Sequence, residues 1–201
     1  MDVRFCDEQE WGIGWIAAEP AFMQRCSHAL VLDGRVWLID PVDLDGVEER
    51  VRAAGEPAGV LQLLDRHNRD CAELARRLDV PHHVVPSKQV GPFEFLPIRS
   101  SRRWREVALW WQDRRVLACA DALGTAAYFR AGGERLAVHP LLRLRPPRLD
   151  VQPEAILCGH GAGVFEGADV ALREALSTSR RRIPRQIAGA IRAWARRPSS
   201  R

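Results

Sequence analysis

Short apolar runs, each closed by a turn or a polar residue, set the rhythm of the 201-residue chain. Arg35-Val-Trp-Leu-Ile-Asp40 follows the turn Asp33-Gly34 and reads as a buried strand. Val47 to Ala54 predicts a short helix closed by Gly55, and Gly59 to Asp65 a second buried strand. Cys71, Leu74, Ala75 and Leu78 repeat at helical spacing, so a helix spans Asp70 to Leu78 and Pro81 stops it. His82 to Val85 reads as extended, and Phe93 to Ile98 as another short strand. Glu106 to Trp111 and Arg115 to Asp121 flank Gln112-Asp113-Arg114 and predict a hairpin. Leu141 to Pro153 holds three prolines and reads as a crossing loop. Ala155 to His160 is a late strand, and a helix follows from about Ala168. Alternation of such strands and helices points to a layered α/β domain.

Three of the predicted strands end on Asp65, Asp121 and His160. Strand interiors are committed to packing, whereas the loop beyond a strand end is free to aim a side chain at a ligand. Around the first of these ends, Leu63-Leu-Asp-Arg-His-Asn-Arg-Asp-Cys71 changes abruptly from apolar to polar. Asp65-x-His67, Asp121 and His160 therefore form a candidate constellation.

Composition narrows the class. With 46% hydrophobic and 28% charged residues the chain is globular, and no run approaches the ~20 apolar residues of a membrane span. The start, MDVRFCDEQEWGIGW, lacks a basic segment followed by an apolar one, and the five cysteines are dispersed with no C-x-x-C. Both features suggest reduced, mostly core thiols in a cytoplasm. Twenty-nine arginines against one lysine, with much alanine, hint at a GC-rich bacterial genome. Net charge is +4, but eight arginines and no acid fall between Ser179 and Arg201, leaving 22 basic and 26 acidic residues before them.

In order and spacing these signals resemble the metallo-β-lactamase fold superfamily over about residues 27 to 176. The matching stretches are Leu38-Ile39-Asp40, Asp65-Arg66-His67-Asn68-Arg69-Asp70, Ala120-Asp121-Ala122-Leu123 and Gly159-His160-Gly161. The resemblance implies a four-layer αββα sandwich with its site along one edge between two sheets. In that family the loop reads H-x-H-x-D-H, and histidines and carboxylates hold two dications. Here His67 keeps its type, Asp65 replaces the first His, Arg69 replaces the Asp and Asp70 replaces the last His. The family's further His is missing between Pro86 and Arg105.

The resemblance therefore implies at most one divalent ion, such as zinc, iron or manganese, held by His67, Asp121 and His160. Asp65 or Asp70 is the candidate catalytic base; their rival roles are helix cap and first-turn charge. Arg69 cannot be a ligand, so it is expected to compensate charge by pairing with the carboxylates; the rival is an exposed first-turn arginine. Arg103 and Trp104, with Arg102 and Arg105, form a candidate rim for an anionic small-molecule substrate, or plain solvated charge. His82, His83 and His139 read as structural. The expected domain is 1–178, with 179–201 a basic helical tail bearing an Ile183, Ile187, Ile191, Trp194 stripe. That tail docks on the acidic body or meets a polyanion or membrane surface. Two functions stay open: hydrolysis of an ester, thioester, lactone or phosphoester at a variant site, or a metal-free binding or scaffold protein.

Overall fold

The structure, a computed structural model, describes residues 3–17 and 23–195, the last six without their side chains. Twelve strands and four helices follow one another along the described chain. The first sheet orders β1 (Val3–Gln9), β2 (Gly12–Ala17), β3 (Cys26–Leu32), β4 (Arg35–Ile39), β5 (Glu56–Gln62) and β6 (His82–Val84) side by side. It is antiparallel through β4 and parallel from there on. The β3–β4 turn places both Asp33 and Gly34 at positive φ (50° and 72°), as a two-residue hairpin needs. The parallel steps are bridged by α1 (Val47–Ala54) and α2 (Cys71–Leu78).

The second sheet orders β12 (Ala155–Cys158), β9 (Val116–Cys119), β8 (Trp104–Trp111) and β7 (Glu94–Ser101). Here β12 runs parallel to β9, and the other pairs are antiparallel. A small pair, β10 (Leu123–Gly124) and β11 (Ala137–Val138), lies beside α3 (Ala168–Thr178).

Burial on both faces explains the unbroken apolar strands. In β4, Val36 and Leu38 pack with Val47 and Val51 of α1 and with Cys71, Ala75 and Leu78 of α2. Trp37 and Ile39 point the other way, into the core shared with the second sheet. There Trp37, Phe93 and Trp111 meet edge to face at centroid separations of 5.4 Å for both pairs. Ala168, Ala171, Leu172 and Ala175 of α3 cover that core from its other side. The layers run helix, sheet, sheet, helix, as the sequence led us to expect.

Element ends differ by a few residues. β5 begins before Gly59 and stops at Gln62, so Leu63 to Asp65 already belong to the loop; β7 runs on to Ser101. The strands β1 and β2 are unmarked by any clean alternation, because a bulge between Cys6 and Gln9 breaks the first and Gly12 and Gly14 dilute the second.

The tail begins as a tight turn, Ser179–Arg182, and continues as α4 (Ile183–Ala195). The buried Ser179 hydroxyl donates to the Arg143 carbonyl (2.9 Å), Arg180 Nε to the Leu144 carbonyl (2.9 Å) and Gln186 Nε2 to the Tyr128 carbonyl (3.0 Å). Ile187, one of the expected stripe, is 55% exposed. The side chains of Ile191 and Trp194, and residues 196–201, lie outside the described residues.

Candidate metal centre

Four strand ends meet at one edge of the sandwich. β4 ends in Asp40, β5 leads through Leu63 to His67, β9 leads to Asp121 and β12 to His160. Backbone bridges Leu64–Glu106 and Arg25–His160 sew the two sheets together there. Gly159 permits the close approach of β12 to β9: a Cβ on it would stand 2.5 Å from the Ala120 carbonyl oxygen.

Local bonds aim each side chain. The His67 amide donates to the Leu64 carbonyl (2.9 Å) in a tight turn, and the buried Gln62 holds that turn through Nε2 to the Leu64 carbonyl (2.9 Å). Asp40 Oδ1 accepts from the Leu63 amide (3.0 Å), while Oδ2 stands 3.2 Å from His67 Nδ1. His160 Nδ1 stands 2.9 Å from the Met23 carbonyl oxygen. The Asp121 and Ala122 amides both donate to Glu106 Oε1 (2.9 and 2.8 Å), and Trp104 Nε1 donates to Oε2 (2.7 Å).

A carbonyl or a carboxylate only accepts, so each Nδ1 is the donor in its outer contact and each ring turns Nε2 inward. The two Nε2 atoms, of His67 and His160, lie 2.9 and 3.0 Å from Asp121 Oδ1. Neither contact has hydrogen-bond geometry, and Asp121 Oδ1 is buried without a hydrogen-bond partner among the described residues. Two Nε2 atoms and one carboxylate oxygen thus meet at one point. Ligand atoms of His67, Asp121 and His160 all lie within 4.8 Å of one another, which suits a single small cation.

Electrostatics show the same demand for positive charge. Burial and the Arg69 guanidinium lower the His67 imidazole, but the Asp121 and Asp40 carboxylates outweigh them and leave it raised. Burial pushes the Asp121 carboxyl up, yet His160 and His67 hold it well below the usual carboxylate range. Glu106, sealed beneath, is pushed up to about 7 by burial.

Arg69 has partners other than those expected. Its Nη1 donates to the Cys26 carbonyl (2.6 Å) and the Asp40 carbonyl (2.8 Å), and its Nη2 to the Gly159 carbonyl (2.9 Å). None of its hydrogen bonds goes to Asp65, Asp70 or Asp121. A positive φ of 38° just ahead of α2 turns it inward onto carbonyls at the strand ends. It is therefore neither a carboxylate clamp nor a solvent-facing helix residue, but a tie across β3, β4 and β12.

The remaining candidates scatter. Asp70 Oδ2 accepts from the Asp43 amide (2.8 Å) and fastens the loop after β4. Asp65 Oδ2 lies 3.4 Å from Arg105 Nε, and its Oδ1 is buried without a partner. Trp104 is buried rather than forming an open rim, and Arg103 contributes its carbonyl, which accepts from Arg66 Nη1 (2.9 Å). His139 packs between Trp104 and Phe129, and burial pushes its imidazole down to about 4.

Sequence reasoning missed three residues here. Asp40 was visible as a strand end but not as the partner of His67. Glu106 left a signal, an acid inside the apolar run from Trp104 to Trp111. Arg66 stacks 4.1 Å over the Trp104 ring and brings Nη2 to 3.9 Å from Asp121 Oδ2, with 45% of its side chain exposed.

Comparison with solved structures decides the architecture. The crystal structure of the DIM-1 metallo-β-lactamase superposes with a TM-score of 0.58 at 11% identity, covering 89% of this chain and 97% of that one. The chain has the metallo-β-lactamase fold. A metallo-β-lactamase from Pontibacter korlensis gives 0.57 at 12% identity over 89% and 99% of the two chains. The BLEG-1 B3 metallo-β-lactamase gives 0.52 at 16% over 77% and 94%. At such identities the likeness is one of fold. No family model and no curated protein matches the sequence. In this metallo-β-lactamase fold, no helix among the described residues is long and apolar enough to cross a membrane.

Proposed function

We propose that the protein is a metal-dependent hydrolase with a mononuclear centre held by His67, Asp121 and His160. One observation carries this reading: both imidazoles turn Nδ1 to outer acceptors and bring Nε2 onto a carboxylate oxygen that has no hydrogen-bond partner among the described residues. A cation at that point would satisfy the carboxylate and both nitrogens at once. The donor set of two imidazoles and one carboxylate suits zinc, iron or manganese. Bound there, a dication supplies Lewis acidity toward a carbonyl or phosphoryl oxygen and acidifies water.

The chain's own residues set the rest. Asp40 and the Met23 carbonyl keep the ring orientations, and Glu106 fixes the backbone of Asp121. Arg66, half-exposed beside Asp121, is the group that would receive an anionic part of the substrate. Asp65 is a better proton acceptor than Asp70, whose carboxylate is committed to the Asp43 amide. The substrate class is an ester, thioester, lactone or phosphoester carrying negative charge.

The test is metal content by plasma mass spectrometry, on protein purified without chelator or affinity metal, beside a His67→Ala/His160→Ala variant. The expected result is metal at this centre in the parent and its loss from the variant, followed by metal-dependent hydrolysis in an ester and phosphoester screen. A parent that takes up none at this centre after soaking with zinc, manganese and iron would sink the proposal and leave a metal-free binding protein.

A further inference from the structure

A second cluster of ligating side chains lies on the inter-sheet side of β3, behind the strand end that Arg69 holds. Cys6 Sγ and Cys26 Sγ are 3.8 Å apart. With the Asp7 carboxylate, their ligand atoms all fall within 4.8 Å of one another. His28 Nε2 stands 3.6 Å from Cys26 Sγ and 3.0 Å from Asp7 Oδ2. The side chains of Asp7 and His28 are almost wholly buried, at 4% and 3% exposure. The Gly163 amide, from the loop after β12, donates to both Asp7 oxygens (3.0 and 2.8 Å).

This grouping is not what a regular strand would produce. Successive residues point to opposite faces, so Cys6 and Asp7 should diverge. The bulge between Cys6 and Gln9, with Asp7 at φ 54°, turns the carboxylate to the same side as the thiol. A non-glycine residue held at positive φ persists where its surroundings over-determine it, often where a ligand is gripped. Across the sheet, Cys6 pairs with Gly14 and Gly14 with His28, so the glycine sits between Cys6 and His28. A Cβ at Gly14 would stand 2.9 Å from His28 Cδ2 and 3.2 Å from Asp7 Oδ2. The bulge and the glycine both serve the cluster.

We propose that Cys6, Asp7 and Cys26 form a second, thiolate-containing metal site for zinc, with His28 as the residue that positions Asp7. Two thiolates on a tetrahedral zinc at ~2.3 Å stand ~3.8 Å apart, which the observed sulfur separation matches. Two sulfurs also select against magnesium and calcium, which require oxygen. Binding releases the two thiol protons to solvent, so the site gains one dication against two thiolates and a carboxylate. The ion would staple the outermost strand β1 to β3, and through Asp7 to the Gly163 loop of the second sheet. The site shares no ligand with the His67 centre and does not rest on the hydrolase reading.

Cobalt separates the two sites, because only this one contains sulfur. Full-length protein is reduced, stripped with chelator and loaded with Co²⁺, and thiolate-to-cobalt charge transfer is read in the near ultraviolet. The expected result is a strong band in the parent and in His67→Ala/His160→Ala, abolished in Cys6→Ser and Cys26→Ser and displaced by zinc. Asp7→Asn should keep sulfur ligation and weaken Co²⁺ affinity at least tenfold. Circular dichroism confirms folding; Cys6 is half-buried, so Cys6→Ser decides the matter should Cys26→Ser fail to fold. Absence of the band in reduced parent, or its persistence at full strength in Cys6→Ser, overturns the proposal. So does a Cys6–Cys26 disulfide whose reduction yields no Co²⁺ binding.

Discussion

Two buried charge clusters of this molecule solve the same problem in opposite ways. Arg143 and Glu134, about 1% and 3% exposed, answer each other with bidentate bonds of 3.1 and 2.7 Å. The Phe129 carbonyl accepts a further bond from Arg143 (2.7 Å), and Glu134 accepts one from the Ala131 amide (2.6 Å). At the His67–Asp121–His160 centre, by contrast, two Nε2 atoms face a carboxylate oxygen that has no hydrogen-bond partner among the described residues. The first cluster pairs its two charges within the chain, leaving Arg143 Nε without a hydrogen-bond partner among the described residues, and serves the fold. The second is supported from outside by Asp40, Met23 and Glu106, but its inner atoms answer nothing in the chain. Burial alone does not distinguish structural from functional charge; the pairing of donors with acceptors does.

That contrast can be broken by substitution. Arg143→Met should be the most damaging change, because it strands the Glu134 carboxylate in the core. We expect a loss of about 3–5 kcal/mol in urea unfolding. A loss below about 1 kcal/mol would show that this pair is not what closes its region. Arg69→Met comes next. It removes a charged donor from three carbonyls on strand ends of both sheets, and should cost about 3 kcal/mol by the same measurement.

Glu106 supplies a pH-dependent comparison. Its carboxyl is raised from 4.5 to about 7 in the folded protein, mainly by burial. The folded state therefore keeps this proton where the unfolded state has released it. Its contribution is fully present below pH 4.5 and is lost as pH rises through about 7. Relative to Glu106→Gln, the parent should lose about 3 kcal/mol across that window. Gln would also face Trp104 Nε1 with a second donor, a pH-independent offset, so the slope and not the intercept is diagnostic. Parallel pH profiles would show that Glu106 does not titrate there.

Asp121→Asn should be the mildest for stability and the sharpest for the comparison. In metal-free protein we expect a loss of about 1 kcal/mol, because Oδ1 makes no hydrogen bond, Glu106 holds the backbone of Asp121 rather than its side chain, and only the attraction of the two imidazoles is given up. Metal retention should nevertheless fall. A large loss of stability without metal would place Asp121 with Arg143 and Glu134 as a structural charge.

Much of the architecture was legible because buried strands and amphipathic helices write their periods into the chain. α1 spans Val47–Ala54 and α3 starts at Ala168, where the sequence reading places them. The convergence of His67, Asp121 and His160 could be suspected because each follows an apolar run. Their supports could not. Glu106 looks like any single acid, and only pairing with the Asp121 and Ala122 amides reveals what it does. Arg69 was misdirected because a sequence shows charge but not φ; a left-handed backbone sent it to carbonyls. β1 escaped notice because the bulge that gathers Cys6 and Asp7 also erases strand alternation.

The Arg69 tie also bears on the order of assembly. Its bonds join residues 43 positions apart at Cys26 and 90 apart at Gly159. Contacts closing such long loops carry their entropy cost before any reward, so they belong to the last stage of folding. An interaction formed after the rate-limiting barrier slows escape from the native state without hastening arrival. Arg69 is thus a latch on lifetime: it governs how long the finished edge persists once the two sheets have met.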